Sequence, residues 1–331
     1  MAIADETDRK ILYCLDLDSR ESVRSIAKKA GLRANIVDYR LKRLLEDGIV
    51  TRMFAEINIA RIGHIAFKIY MQFQNLAPEL EKDFFAYMEN HPNSLWGVRC
   101  TGRYDAIAGF IAPDVEGVEE IKNGFLKEFG KNILLKQIAV NTGYYIFNRK
   151  YLSGDFRQGH IYNFFSRGRA VRLDAKDVKI VRLLLENSRL KAVEIAKKVS
   201  LSSNQVLVRI RRLEEQGFIV SYKIDLNLKK LGRQFHKVLV YLQNYGAEDK
   251  RRLLDYCTGL ADVTALSDTI APWDIELEME TESTSQMMEI MDDIRTKFPL
   301  VMKSYETMII TKETGRNYKL PKELPFPARG G

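Results

Sequence analysis

Cysteine is scarce in this chain, three among 331 residues. Cys14, Cys100 and Cys257 stand far apart with no paired spacing. That excludes a disulfide framework and a zinc-finger-type ligand set, and suits single buried thiols in a reducing compartment. Histidine is nearly as rare, at His64, His91, His160 and His236. No metal-ligand cluster, Gly-rich phosphate loop or nucleophile elbow can be read, so no metal or cofactor is expected. Long apolar runs are missing too: no window approaches the roughly 18 residues that a membrane span needs. The stretch from Met1 to Lys10 is acidic and polar, unlike a secretion leader. The expectation is a cytoplasmic protein with no membrane partner.

What is present is ordinary globular composition, 46% hydrophobic and 29% charged, in a chain long enough for two to four compact domains. The net charge of +8 permits a polyanionic partner without requiring one. Its distribution says more. The window Arg20 to Arg43 holds eight Lys/Arg against Glu21 and Asp38, and Arg189 to Arg212 holds seven against Glu194. By contrast, Ala261 to Ile294 holds ten carboxylates and no Lys or Arg.

Those two basic windows are related, because the chain repeats. Shifted by 169 residues, Asp5 to Asn75 aligns without a gap on Asp174 to Asn244, with about a third of positions identical. Ile26-Ala27-Lys28-Lys29 falls on Ile195-Ala196-Lys197-Lys198, Gly48 on Gly217, and Tyr104-Asp105 on Trp273-Asp274. The organisation expected is residues 1–55 and 60–150, a linker at 151–172, the copy at 173–224 and 233–315, and a flexible tail at 316–331.

In the first copy, Asp5 to Leu17 has helical spacing, Ser22 caps a short helix through Ala30, and Gly31 followed by Leu32 makes a tight turn. A third helix is predicted from about Ala34 to Asp47, with Val37, Leu41 and Leu44 on its inner face. After Gly48, the alternating Ile49, Thr51 and Met53 read as a wing or a connecting strand. The second copy repeats this, with Leu201 as the turn anchor and Val206, Ile210 and Leu213 as the stripe. A short helix, a tight turn and a helix with a basic outer face suit the DNA major groove. The pattern points to double-stranded DNA as partner; a protein-interaction domain with a solvated basic face is the competing account. For base contacts the positions are Asn35, Ile36 and Tyr39, and Asn204, Gln205 and Val208. For phosphates they are Arg40, Lys42, Arg43, Arg209, Arg211 and Arg212, each of which could instead pair with a nearby carboxylate.

The pattern Leu32-x4-Val37-x2-Arg40-Leu41-x-Arg43-Leu44-x3-Gly48-Ile49-Val50 and its copy from Leu201 to Ile219 resemble the helix-turn-helix of the Lrp/AsnC (feast/famine) regulators. The resemblance covers nearly the whole chain, twice. It implies transcriptional regulation modulated by a small molecule such as an amino acid. It also implies an intramolecular pseudo-dimer in place of the family's usual pairing of single-unit chains, with further pairing of whole chains left open.

The rest of each copy reads as an α+β unit. In the first, strands at Ile65 to Phe73, Ser94 to Thr101, Tyr104 to Ile111 and Ile133 to Ile146 alternate with helices at Pro78 to Asn90 and Val115 to Phe129, a ferredoxin-like βαββαβ order. The fold class expected is thus a winged helix-turn-helix followed by a ferredoxin-like domain, in two copies. The turn Thr101-Gly102-Arg103-Tyr104-Asp105 resembles the family's Gly-x-Tyr-Asp signature, which implies effector binding near Gly102, Tyr104 and Asp105. The second copy reads Ile270-Ala271-Pro272-Trp273-Asp274, so Trp273 and Asp274 mark a degenerate counterpart. Glu276, Glu278 and Glu280 share one strand face where the first copy has Ile107, Gly109 and Ile111. A solvated sheet face is the expectation; a site for a cationic effector, or a polar contact with the other repeat, is the alternative. Two further readings stand beside the regulator: an enzyme resembling sirohaem decarboxylases on the same fold, and a sequence-tolerant architectural DNA protein.

Overall fold

The computed structural model describes residues 4–74, 77–153, 162–163 and 168–314. The predicted tail and most of the predicted linker, with His160, lie outside the described residues.

Each copy begins with three helices, α1 (Glu6–Leu17), α2 (Val23–Ala30) and α3 (Ala34–Glu46), repeated later as α6 (Ala175–Glu186), α7 (Ala192–Val199) and α8 (Ser203–Glu215). The sequence signals act where expected. Asp5 caps α1 in a capping box with Asp8, and Asp174 does the same with Asp177 for α6. Gly31 ends α2 at φ +68°, and Ser200 takes the same left-handed turn in the second copy.

The strands after the helices are connecting strands. β1 (Val50–Ile57) pairs antiparallel with β7 (Ile219–Leu226), so one ribbon joins the copies. Each helical unit packs on the strand of the other copy. The core of α1–α3 includes Ile224 and Leu226, and that of α6–α8 includes Ala55 and Ile57. The two buried serines Ser19 and Ser188, 169 positions apart, share a hydrogen bond of 2.6 Å. Equivalent residues can touch only on a symmetry axis, so a pseudo-twofold axis runs between them. Arg20 donates to the Ser188 carbonyl, and Arg189 donates to the Ser19 carbonyl at 2.7 Å, which completes the reciprocal pattern.

The remainder of the first copy is β2 (Ile65–Phe73), α4 (Pro78–Asn90), β3 (Ser94–Gly102), β4 (Ala106–Ala112), α5 (Val115–Phe129) and β5 (Ile133–Ile146). A short strand β6 (Tyr162–Asn163) pairs with β5. The second copy has β8 (Gln234–Leu242), α9 (Ala247–Gly259), β9 (Val263–Ile270), β10 (Ile275–Thr281), α10 (Thr284–Lys297) and β11 (Met302–Glu313). Each is the ferredoxin-like βαββαβ unit. The two four-stranded sheets join at both edges, β3 to β11 and β5 to β9, and with the β2–β5 pairing the eight strands close into a barrel. Closure leaves no edge of either sheet open along those strands. Helices α4 and α5 cover the outside of one half through Phe84, Phe85, Phe125 and Phe129. Helices α9 and α10 cover the other through Leu253, Cys257, Met287 and Met291. The thiols of Cys100 and Cys257 are pushed up to about 12 by burial, consistent with inert core thiols.

Candidate nucleic-acid interface and barrel interior

The inner stripes of the two third helices are buried as predicted: Val37, Leu41 and Leu44, and Val206, Ile210 and Leu213. This orientation turns Asn35, Ile36, Tyr39 and Lys42 of α3 outward, and likewise Asn204, Gln205, Val208 and Arg211 of α8. Tyr39 and Val208 are 64% and 67% exposed. Lys42 pairs with Asp38 on the same helix at 2.8 Å, a solvent-screened contact.

The other four arginines have a second engagement. Arg40 reaches Asp5 at 2.6 Å and Asp8 at 3.3 Å, and Arg43 also pairs with Asp8. In the second copy Arg209 binds Asp174 and Asp177 at 2.7 Å each, and Arg212 binds Asp177 at 2.5 Å. Asp8 and Asp177 are buried. These pairs clamp the third helix onto the start of the first in each unit, a role spacing alone could not separate from phosphate contact. Burial pushes the Asp174 carboxyl up, but the Asp177 amide hydrogen bond and, after it, the Arg209 guanidinium hold it below its usual value.

The strand face carrying Glu276, Glu278 and Glu280 is not solvated, contrary to the first expectation. All three are buried, because β10 turns this face into the closed barrel. They are paired, and largely with the other copy. Glu276 Oε2 accepts from Lys68 of β2 at 2.5 Å and from Lys237 of β8 at 2.9 Å, while Trp273 Nε1 donates to its Oε1 at 3.2 Å. Lys237 also reaches Glu278 at 3.0 Å, and the Tyr144 hydroxyl donates to Glu278 at 3.2 Å. Glu280 accepts from Arg149 Nε at 2.8 Å and from Tyr151. Arg149 in turn binds Asp16 at 2.7 Å. Closing the barrel made this contact, and strand pattern alone could not reveal it. Burial pulls the Lys68 ammonium down to about 8, only partly offset by Glu276, whereas the two ammonium groups hold the Glu276 carboxyl at about 2 against the effect of burial.

Of the predicted effector residues, Tyr104 and Trp273 are brought together inside the barrel. Their rings lie 6.1 Å apart and both pack edge-on against Tyr70. Asp105 and Asp274 do matching structural work: Asp105 accepts from the Phe73 amide at 2.8 Å and Asp274 from the Leu242 amide at 2.7 Å. Gly102 sits at φ +129° with the Thr307 carbonyl only 2.4 Å from where a Cβ would stand, so the β3–β11 seam requires glycine there. Tyr104 and Trp273 thus belong to one aromatic cluster inside the barrel.

A cavity of about 660 Å³ opens elsewhere, between the barrel mouth and the β1–β7 ribbon. Its wall includes Glu56 and Lys223 of the ribbon, Tyr144, Arg149 and Arg233, and Glu278 and Glu280 of the barrel. No histidine is among its described wall residues. No group of His, Cys, Asp or Glu placed to hold a metal occurs among the described residues. Nor is any described helix long and apolar enough to cross a membrane.

Residues 5–45 match the AsnC-type helix-turn-helix domain, and residues 173–220 match the winged helix-turn-helix DNA-binding model. An uncharacterized HTH-type transcriptional regulator of Pyrococcus furiosus is 33% identical over 104 residues, 30% of this chain and 70% of that protein. The chain belongs to the Lrp/AsnC family of helix-turn-helix regulators. The HTH-type transcriptional regulator Ptr1 of Methanocaldococcus jannaschii is 30% identical over 34% of this chain and 76% of its own. The leucine-responsive regulatory protein of Rhizobium meliloti is 45% identical, but the match spans only 19% of this chain and 40% of that protein. Among solved structures, the siroheme decarboxylase NirDL superposes over 94% of this chain and 92% of its own, with a TM-score of 0.61 at 13% identity. At that identity the likeness is one of fold, and it extends over both copies.

Proposed function

We propose that this Lrp/AsnC-family chain is a sequence-specific DNA-binding transcriptional regulator in which one polypeptide supplies both reading heads. The observation that carries the reading is the pair of outward faces on α3 and α8, set on one β1–β7 ribbon about a pseudo-twofold axis. Asn35, Ile36 and Tyr39, and Asn204, Gln205 and Val208, contact base edges; Lys42 and Arg211 contact phosphates. Arg40, Arg43, Arg209 and Arg212 hold the reading helices in place and touch the backbone as a second duty. Because the two faces differ, the preferred site is an imperfect palindrome. Genomic fragments selected by the protein and sequenced test this. An asymmetric motif supports it, while a strictly symmetric one, or less than about tenfold preference over random DNA, counts against it.

A small polar effector acts in the cavity between barrel and ribbon, since a ligand touching both would bias how the ribbon, and with it the helices, sits on the barrel. Carboxylates and cations line it together, which suits a zwitterion such as an amino acid. Thermal shifts with the twenty amino acids, repeated on Glu278→Gln, test the location.

The whole-chain likeness to NirDL favours a second reading, tetrapyrrole decarboxylation. The wall offers Arg149 and Arg233 but no histidine among its described residues. Purified protein that binds an iron tetrapyrrole and releases carbon dioxide from it would replace the regulator reading.

A further inference from the structure

We infer that the inner faces of the two barrel halves recognise each other and reject copies of themselves, so that the barrel closes only as first half with second half. The charges buried where the halves meet carry this. Lys68 and Arg149 come from the first half with Asp16, and Lys237 and Lys223 come from the second with Glu276, Glu278 and Glu280. These cations and carboxylates meet, and Glu56 of β1 is also buried beside Lys223; Asp16 lies on α1 and Lys223 on the ribbon strand β7. On the barrel strands themselves the first half supplies the cation Lys68, and the second supplies Lys237 with all three glutamates.

Like pairs cannot reproduce that pairing. Residue 276 corresponds to Ile107 in the first copy, and 278 to Gly109. Two first halves closed on each other would hold two copies of Lys68 facing isoleucine and glycine, with no carboxylate in reach. Two second halves would hold two copies of Lys237 among two each of Glu276 and Glu278, and Glu280 would lack Arg149. An unpaired charge in such an interior costs several kcal/mol, a penalty that the matched pair avoids. The same logic governs whole chains. Two chains could in principle trade halves to build one barrel of first halves and one of second halves, and the buried charge opposes both products. A second copy of this chain is thus a poor partner for the inner faces.

The experiment uses the whole chain with a protease site inserted after Asp155, outside the described residues. The protein is cleaved to completion, unfolded in urea, refolded and weighed intact by mass spectrometry. Mixed pairs making up more than about nine-tenths of the barrels are expected, where indifferent pairing would give about half. Like pairs near the indifferent share overturn the proposal. The uncut chain gives a second reading that does not depend on refolding of the cut one. Lys68→Glu lowers the melting temperature, and Lys68→Glu with Glu276→Lys recovers at least half of the loss; no recovery overturns the proposal as well.

Discussion

Arg209 of the second reading helix lies 2.7 Å from Asp177, a carboxylate almost wholly withdrawn from water, and Arg40 stands toward Asp8 in the same way. Asp177 closes the capping box of its own helix by accepting from the Asp174 amide and also receives two arginines from α8, so it ties the two helices together. Asp177→Ala should therefore lower stability on the order of 2–3 kcal/mol, because Arg209 and Arg212 lose their shared buried partner. Denaturant unfolding followed by far-UV circular dichroism measures this, and a loss under about half a kcal/mol would show that the clamp is ornamental.

Arg211 is the contrasting case, exposed on the same helix. Arg211→Ala should leave stability within about half a kcal/mol of wild type while weakening DNA binding uniformly across sequences. Its salt dependence should also fall by about one unit of slope. Affinity titrations at several salt concentrations report both.

Tyr39→Ala and Val208→Ala should each relax preference in a different half of the site, at about 1–3 kcal/mol per affected base pair. If both variants relaxed the same half, the assignment of one helix to each half-site would fall.

Acid should open the barrel. The folded Glu276 carboxyl sits at about 2 against a usual 4.5, so the unfolded chain takes up its proton first as pH falls. The associated stability is fully present above pH 4.5 and is lost progressively toward pH 2, on the order of 3 kcal/mol in all. Glu276→Gln should start less stable at neutral pH and show a shallower decline across that window. Equal slopes for the two proteins would contradict the assignment.

Gly102→Ala should cost about 2–4 kcal/mol, since the new Cβ meets the Thr307 carbonyl and the backbone there is left-handed. The matching position already carries Ala271, so Ala271→Gly should be far milder. Thermal melts of the two variants decide it.

Much of this was legible before any coordinates. Capping residues, the turn at Gly31 and the 3.6-residue stripes act within a few positions of chain, and the helices formed where Asp5, Ser22 and Val37 announced them. The order of strands followed from alternation. The barrel interior was different, because what surrounds Glu276 is Lys68, 208 positions away. A run of alternating carboxylates looks the same whether its face meets water or lysine. Only edge-to-edge closure decides, and closure depends on both copies. The arginine clamps hid for a related reason: a basic residue on an outer helix face serves phosphate or aspartate equally well by spacing.

The serine pair on the pseudo-twofold axis has a further consequence. When two identical hydroxyls hydrogen-bond, one must give the proton and the other take it, so the bond itself cannot obey the symmetry that creates it. A protein built from identical chains is bound to keep the same side chain on both sides of such a line, and only groups able to play both parts will fit. Here the two sides are written at separate places in one gene. Position 19 is therefore free to become a dedicated donor and position 188 a dedicated acceptor, and the two copies can specialise from the axis outward.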